Sequence, residues 1–225
     1  VERYALPDVA ELVRRGVKAV VVACNTASAA ALPVLAAAHP QLPVIGVIEP
    51  GATAAVAASR TGRIAGLATE GTVRGGAYQR AIIERLPLAQ VTAIPATLLV
   101  ALAEEGWIEG DVAQAAAGRY LSPLFVDAAA APDVLVLGCT HFPPLAGVIG
   151  KVAGPGVRIV DSAVTTADSL ASLLARRGMA ATAGAGVAHF LVTDGEERFA
   201  RVGPVFLGRA IEPLDVERVD IQVVA

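Results

Sequence analysis

Two short segments of this chain follow the same plan, and the plan narrows the folds that the chain can adopt. Cys24 ends the apolar run VVVA, Cys139 ends the apolar run LVLG, and a threonine stands within two positions of each cysteine. We expect a buried strand before each cysteine and a helix after it. Strands that alternate with helices form parallel sheets, in which the carboxyl ends of the strands lie at one edge. The two segments therefore predict an α/β fold in which both cysteines border one cleft.

The same alternation extends over the whole chain. Helices are predicted at 2–15, 27–38, 51–60, 71–85, 97–105, 109–130 and 163–177, and strands at 17–23, 44–48, 63–69, 91–94, 134–137, 158–160, 190–193 and 205–207. These elements predict two pseudo-symmetric parallel-sheet α/β domains with the active site in the cleft between them. The first domain would combine residues 1–46 and 161–225, and the second would comprise residues 47–160.

Charge and motif content argue against several classes of function. The chain carries 18 basic and 21 acidic residues for a net charge of −3, and the basic residues are scattered, so we expect no nucleic-acid partner. Neither a P-loop nor a GxGxxG fingerprint occurs, so ATP and NAD have no support. Two cysteines are too few for a disulfide framework, which indicates a reducing cytoplasm.

The apolar content of 55% raises the alternative of a membrane span. Residues 19–48 carry no Asp, Glu, Lys or Arg, which is enough length to cross a bilayer. Asn25, Pro33 and Pro40 interrupt this run, however, and breaks in a lipid-exposed helix are costly. We therefore expect no membrane partner.

The paired thiols point to proton-transfer chemistry. One thiolate can remove a proton from one face of a carbon while one thiol delivers a proton to the other face, which is what a cofactor-free racemase requires. A helix N-terminus after each cysteine would favour the thiolate and would also bind a substrate carboxylate. Asn25, Thr26 and Thr140 add hydrogen-bond donors, and His141 is close enough to Cys139 to exchange a proton with it.

Three other interpretations of the cysteines stay open at this point. Each cysteine could be a small, buried hydrophobic residue at the end of a strand. The cysteines could bind zinc with His39, His141 and His189, although the paired-ligand spacing of zinc sites is missing. A Cys-His hydrolase would use Cys139 and His141 and leave Cys24 without a role.

Several segments together resemble those of one enzyme family, the glutamate racemases. They are ACNTAS around Cys24 and LGCTHFP around Cys139, with VIGVIEPG, TEGTV, AYQ, LAEEGW, IVDSA and RFARVGPVFLG in the family's order. The resemblance covers nearly all of the chain. Related aspartate racemases resemble the first segment but usually carry Glu instead of His after the second Cys-Thr pair.

The resemblance implies that L- and D-glutamate are interconverted without a cofactor or a metal, which supplies D-glutamate for peptidoglycan, cell wall biogenesis and cell shape. It implies that Cys24 and Cys139 act as the two acid/base residues on opposite faces of Cα, in a cytoplasmic enzyme that forms a homodimer. The residues that it implies around the substrate are Asn25, Thr26, Thr72 and Thr140, with His141 assisting Cys139 and contacting the substrate, and Glu105, in preference to Glu104, near that histidine.

The family pattern also includes two segments that this sequence does not match. They are a first strand that ends in Asp-Ser-Gly-x-Gly-Gly and a later Pro-Tyr-Gly segment. By resemblance these segments would assist Cys24 and hold the substrate, so their absence predicts a chain that is impaired or inactive and prone to associate. Two further hypotheses stay open: a catalytically silent fragment or binding module with the same fold, and a related racemase or decarboxylase for another acidic substrate.

Overall fold

A computed structural model describes residues 1–184 and 186–221, in which helices and strands alternate. Every strand pairing in these residues is parallel, which confirms the predicted α/β class. The strands are β1 (Val20–Val22), β2 (Val44–Gly46), β3 (Arg63–Ala68), β4 (Gln90–Pro95), β5 (Val134–Gly138), β6 (Arg158–Asp161), β7 (Phe190–Val192) and β8 (Val216–Arg218). The helices are α1 (Glu2–Arg14), α2 (Asn25–Ala38), α3 (Ile48–Ala58), α4 (Glu70–Gly75), α5 (Ala77–Arg85), α6 (Thr97–Glu104), α7 (Gly110–Leu121), α8 (Ala146–Ala153), α9 (Ser162–Arg176) and α10 (Glu196–Leu207).

The largest sheet has four strands in the order β4-β3-β5-β6. All residues of β5 are buried, because helices cover both faces of the sheet. Leu135 and Leu137 face a core formed with α6, α7 and α8, whereas Val134 and Val136 face a core formed with α3 and α5. This packing fixes the carboxyl end of β5, which Cys139 follows directly.

A separate pair of strands, β1 and β2, positions the other cysteine. Val20 of β1 packs with Val9 of α1 and with Ala31 and Leu35 of α2 in a small buried core. Cys24 lies between the end of β1 and the start of α2. Both cysteines therefore follow the carboxyl end of a parallel strand, where α/β proteins place their ligand sites.

The third sheet pairs β7 with β8 and packs against α10. Arg15, which follows α1, donates two hydrogen bonds to the carboxylate of Glu217 in β8, at 2.5 and 2.8 Å, so the two ends of the described chain are in contact.

The division of the chain into two domains at residues 46/47 and 160/161 stays a prediction. Among the described residues, none of the helices combines the length and the apolar character that crossing a bilayer requires.

The strand predicted at 205–207 is wrong, because these residues form the last turn of α10. Their sequence, Val-Phe-Leu, has high strand propensity, but Phe199, Val202 and Phe206 recur at helical spacing and Val202 is buried. Gly208 adopts a left-handed conformation with φ of 65° and ends the helix there.

Three predicted helices also differ from the structure. The helix predicted at 71–85 is divided by Gly76, whose φ of 62° breaks the helical path between α4 and α5. The helix predicted at 109–130 ends at Leu121 and continues only as a short 3-10 turn. After Cys139 a turn and a 3-10 segment come first and α8 begins only at Ala146, so the helix N-terminus predicted beside this cysteine is not there.

Candidate active site

Cys24 stands at the N-cap of α2 with its side chain exposed. Its carbonyl accepts a hydrogen bond of 2.8 Å from the N–H of Ser28. The Ser28 hydroxyl donates to the carbonyl of Val22 at 2.7 Å and accepts from the N–H of Val47 at 3.3 Å. These bonds tie the start of α2 to the ends of β1 and β2, so the thiol is held beside the free N–H groups of a helix N-terminus.

Cys139 lies in a tight turn and, unlike Cys24, is buried, with 4% of its surface exposed. Its carbonyl accepts from the N–H of Phe142 at 3.1 Å, and the ring of Phe142 is fully buried as an anchor for the turn. Burial raises the pKa of the Cys139 thiol; the backbone N–H of His141 lowers this pKa, and nearby Cys24 raises it. Because the net shift is upward, Cys139 holds its proton more tightly than an ordinary thiol does.

A series of polar contacts connects Cys139 with α10. Nδ1 of His141 lies 3.7 Å from Sγ of Cys139, and Nε2 lies 2.7 Å from Oε1 of Glu104. The other Glu104 oxygen accepts from Nη2 of Arg198 at 2.6 Å, and the ring of Phe206 meets the imidazole edge to face at 5.6 Å. The hydrogen bond to His141 lowers the pKa of Glu104 against a partial burial that raises it, and Arg198 lowers it further. Glu104 is therefore ionised at neutral pH.

Asn25, the residue after Cys24, is almost completely buried. Its Oδ1 accepts a 2.8 Å hydrogen bond from the hydroxyl of Tyr78, whereas its Nδ2 has no partner among the described residues. A buried amide donor without a partner costs about 1–3 kcal/mol. An acceptor oxygen brought by a ligand would remove this cost.

Three threonine hydroxyls form a cluster, and one of them belongs to Thr26, the residue after Asn25. The Oγ1 atoms of Thr26, Thr69 and Thr72 lie 2.9–3.1 Å from one another. Thr26 belongs to α2, whereas Thr69 and Thr72 lie at the start of α4, which follows β3. The cluster therefore connects the turn after β1 to the turn after β3, and its hydroxyls can rotate toward an anion.

Several observations place the two cysteine turns side by side. Tyr78 donates a hydrogen bond to Asn25, the residue after Cys24, and its ring lies against Gly138, the residue before Cys139. A cavity of about 270 Å³ is lined by Ala23 and Thr140, which are the chain neighbours of the two cysteines, and otherwise mainly by apolar side chains. The turns after β1 and β5 therefore border one cavity.

Most of the predicted site residues lie in these two turns and in the threonine cluster. The exception is Glu105, which caps the end of α6 with an exposed side chain while Glu104 contacts His141. Consecutive helical residues point about 100° apart, so only one of the two adjacent glutamates can face the turn after β5. The sequence-based preference for Glu105 as the glutamate near His141 is therefore wrong, and Glu104 takes that position.

The residues that sequence reasoning did not select are Tyr78 and Arg198. Both lie within segments that resemble the family, AYQ and RFARVGPVFLG, which was the one signal available for them. Helical spacing alone does not show that Tyr78 contacts Asn25 or that Arg198 contacts Glu104. Within residues 1–184 and 186–221, no group of three or more His, Cys, Asp or Glu side chains could hold a metal ion.

Comparison with known proteins adds an independent finding. The profile of a family described as Asp/Glu/Hydantoin racemase matches residues 1–170. The glutamate racemase of Geobacter metallireducens is 45% identical to this chain over 210 residues, which are 92% of this chain and 76% of that protein.

Two solved structures share the fold. A glutamate racemase isoform from Bacillus anthracis superimposes with a TM-score of 0.90 at 33% identity, covering 99% of this chain and 81% of that one. The glutamate racemase of Francisella tularensis, solved in complex with D-glutamate, gives a TM-score of 0.87 at 29% identity, covering 98% of this chain and 80% of that one.

Proposed function

The chain belongs to the Asp/Glu/Hydantoin racemase family and, within it, to the glutamate racemases, and we propose that Cys24 and Cys139 are its two acid/base residues. The observation that carries this proposal is the placement of two unbonded cysteines after the ends of β1 and β5, with their neighbours on one cavity. Thiols on opposite faces of one substrate carbon can exchange its proton without a cofactor.

The reaction consists of two proton transfers. The thiolate of one cysteine takes the proton from Cα of glutamate, and the electron pair of the C–H bond is delocalised into the α-carboxylate. The thiol of the other cysteine then gives its proton to the opposite face of Cα. The product has the inverted configuration, and the two cysteines have exchanged their protonation states, so the same site works in the reverse direction.

The environment of Cys139 supports a role as the resting proton donor. Burial raises the pKa of this thiol, so it is protonated at neutral pH. When Cys139 must act as the base, His141 can receive its proton, because Nδ1 lies 3.7 Å from the sulfur. The ionised Glu104 accepts from Nε2, which leaves Nδ1 of a neutral imidazole free to act as the acceptor.

The groups around Cys24 fit the head group of an amino acid. The N-terminus of α2 and the Nδ2 of Asn25, which has no hydrogen-bond partner within residues 1–184 and 186–221, favour a carboxylate. The hydroxyls of Thr26 and Thr72 can donate to the same anion, and Thr140 borders the cavity on the Cys139 side. The substrate is then held with Cα between the two thiols.

Proton NMR of L-glutamate in D₂O, with this chain and no added cofactor, tests the proposal. The α-proton signal should disappear and D-glutamate should accumulate, because each turnover replaces the α-hydrogen with deuterium from the solvent. The matched control is the double variant Cys24→Ser with Cys139→Ser, which should leave the signal intact.

Two outcomes favour other functions. A persistent α-proton signal, under conditions in which calorimetry detects bound glutamate, would overturn the proposal in favour of the catalytically impaired chain, or the binding module with the same fold, that the two unmatched family segments predict. Exchange at the α-carbon of aspartate but not of glutamate would instead assign the chain to a related racemase with another acidic substrate.

We also propose that the D-glutamate made by this chain supplies peptidoglycan synthesis and that the chain works in the cytoplasm. The family relationship and the need for two reduced thiols support this role. A bacterial strain that requires D-glutamate should grow without it when it expresses the chain, but not when it expresses the double serine variant. The homodimer stays a prediction, which sedimentation equilibrium would check.

A further inference from the structure

Tyr78 adjoins the site, yet the proposed proton transfers do not use it. Its side chain is buried, with 6% of the residue exposed, and its hydroxyl donates to Oδ1 of Asn25 at 2.8 Å. Glycines flank its ring on two sides, because a Cβ at Gly51 or at Gly138 would lie 3.1 Å from the ring. A ring confined in this way holds its hydroxyl in one place.

The hydroxyl of Tyr78 is a permanent donor. Burial raises the pKa of Tyr78 far above its ordinary value; the Ser162 hydroxyl lowers it, and the charges of Cys139 and Asp161 raise it. Because the net shift is strongly upward, the phenol keeps its proton throughout the range in which a thiol-based enzyme can work.

The hydrogen bond that Tyr78 donates to Oδ1 fixes the orientation of the Asn25 amide. The two ends of an amide have nearly the same shape, so hydrogen-bond partners determine which end faces a ligand. With Oδ1 occupied by Tyr78, the remaining group is Nδ2, which is buried and has no partner among the described residues. The amide can therefore act toward a ligand only as a donor, through Nδ2. Asn25 is also the residue next to Cys24 in the sequence.

We propose that Tyr78 is a positioning residue that fixes the side-chain amide of Asn25, so that Nδ2 is presented to an acceptor oxygen of glutamate. The inference rests on the proposed function for its ligand. It also gives Gly51 and Gly138 a purpose, since each leaves the space that the ring occupies. One side chain thus connects Asn25 after β1 with Gly138 at the end of β5.

The variant Tyr78→Phe tests the inference, because it removes only the hydroxyl. We expect kcat/KM for glutamate to fall roughly tenfold, mainly through KM, as the amide loses the bond that orients it. Tyr120→Phe is the matched control: its hydroxyl also makes one hydrogen bond, with the N–H of Leu98 at 3.3 Å, and it should leave kcat/KM unchanged. Equal kinetics for Tyr78→Phe and the wild type would overturn the inference.

A double-mutant cycle separates positioning from general stability. If Tyr78 acts through Asn25, adding Tyr78→Phe to Asn25→Ala should change KM by less than about twofold. A further tenfold loss on that background would mean that Tyr78 supports the site by another route, and would overturn the inference.

The side-chain amide protons of Asn25 give a readout that does not depend on turnover. Their NMR signals, assigned by their loss in Asn25→Ala, should shift in Tyr78→Phe and stay in place in Tyr120→Phe. Unchanged signals in Tyr78→Phe would refute the hydrogen bond itself. If the signals shift in Tyr78→Phe but the wild type neither binds nor converts glutamate, the hydrogen bond stands while the proposed ligand, and with it the proposed function, is refuted.

Gly51→Ala probes the confinement of the ring without removing any polar group. This substitution raises helix propensity within α3 but places a methyl group 3.1 Å from the ring and the hydroxyl of Tyr78. We expect KM to rise roughly tenfold while the protein stays folded. Wild-type kinetics in Gly51→Ala would show that the ring does not need this space and would overturn that part of the inference.

Discussion

Oε1 of Glu104 lies 2.7 Å from Nε2 of His141, on the side of the imidazole away from Cys139. The contact joins residues 37 positions apart in sequence. It involves Glu104 and not the neighbouring Glu105, which is exposed. Since a carboxylate at Nε2 holds the proton on that nitrogen, a neutral imidazole presents an unprotonated Nδ1 to the thiol. Glu104 therefore orients the imidazole of His141 without contacting Cys139 itself.

Glu104→Gln should lower kcat for glutamate by at least about tenfold, because a neutral amide no longer fixes the imidazole tautomer or stabilises its charge. Glu105→Gln is the matched control and should stay within about twofold of the wild type, since its side chain is exposed. Exchange of the α-proton in D₂O measures both rates. Similar losses in the two variants would contradict the assignment of Glu104.

The two thiols should differ in their reactivity toward iodoacetamide. Cys24→Ser leaves Cys139 as the only cysteine, and Cys139→Ser leaves Cys24 as the only one. Alkylation of Cys139, measured by mass spectrometry, should be slower at pH 7 than alkylation of Cys24, and its midpoint should lie above that of an ordinary thiol, because burial raises the pKa of Cys139. A faster reaction at Cys139 than at the exposed Cys24 would contradict this environment.

Bases on opposite faces of Cα should act on opposite enantiomers. Glutamate with chlorine at Cβ can lose chloride once its α-proton is removed, so one cysteine is enough for elimination. Cys24→Ser should retain chloride release from one enantiomer and Cys139→Ser from the other, while neither variant racemises glutamate. If both variants lost chloride release from the same enantiomer, the two cysteines could not act on opposite faces of Cα.

Asp133 should contribute stability that depends on pH. Burial raises its pKa, but hydrogen bonds from the hydroxyl of Ser59 and the N–H groups of Arg60 and Thr61, at 2.7–3.0 Å, lower it to a net value below the ordinary one. A lowered pKa stabilises the fold above the unfolded value of about 3.9, and the stabilisation is lost as pH falls through the folded value.

The variant Asp133→Asn measures this contribution. Its free energy of unfolding in urea should be lower than that of the wild type by about 1–3 kcal/mol at pH 7, and the difference should shrink below about pH 3.9. Asp168→Asn, at an exposed position of α9, is the control and should change little at either pH. A difference that persists unchanged in acid would mean that the charge of Asp133 is not its source.

Gly138→Ala should destabilise the fold by about 1–3 kcal/mol or more. Its Cβ would lie 2.9 Å from the backbone oxygen of Leu67 in the neighbouring strand β3, which cannot move away without disturbing the sheet. Gly147→Ala is the matched control, because a Cβ there meets nothing within 4 Å and should stabilise α8 by up to about 1 kcal/mol. Thermal unfolding checks this prediction: the melting temperature should fall in Gly138→Ala and rise in Gly147→Ala.

The sequence predicted the positions of the cysteines because a single local rule governs both. An apolar run that ends at a cysteine predicts a strand end, and parallel strands gather such ends at one edge of a sheet. The strand predicted at 205–207 fails because Val205, Phe206 and Leu207 favour a strand locally, while packing of α10 through Val202 determines the outcome.

The contacts of the site were harder to predict because they are set by tertiary structure. Whether Glu104 or Glu105 meets His141 depends on the rotation of α6 against the turn after β5, which adjacent identical residues do not reveal. The partner of Asn25 is 53 positions away on α5, and no spacing rule connects the two. The family resemblance marked the segments but not the pairs within them.

The threonine cluster also bears on how firmly a substrate can be held. Its hydroxyls join two sheets that share no strand, and each bond between two neutral hydroxyls contributes about 1 kcal/mol, whereas a bond from one of them to a charged carboxylate contributes about 1.5–3 kcal/mol. A carboxylate that binds there exchanges existing hydrogen bonds for stronger ones, so only the difference between the two contributes to its net affinity. Under the proposed racemisation the product is the mirror image of the substrate, so it would leave by reversing the same exchange and neither enantiomer would be trapped.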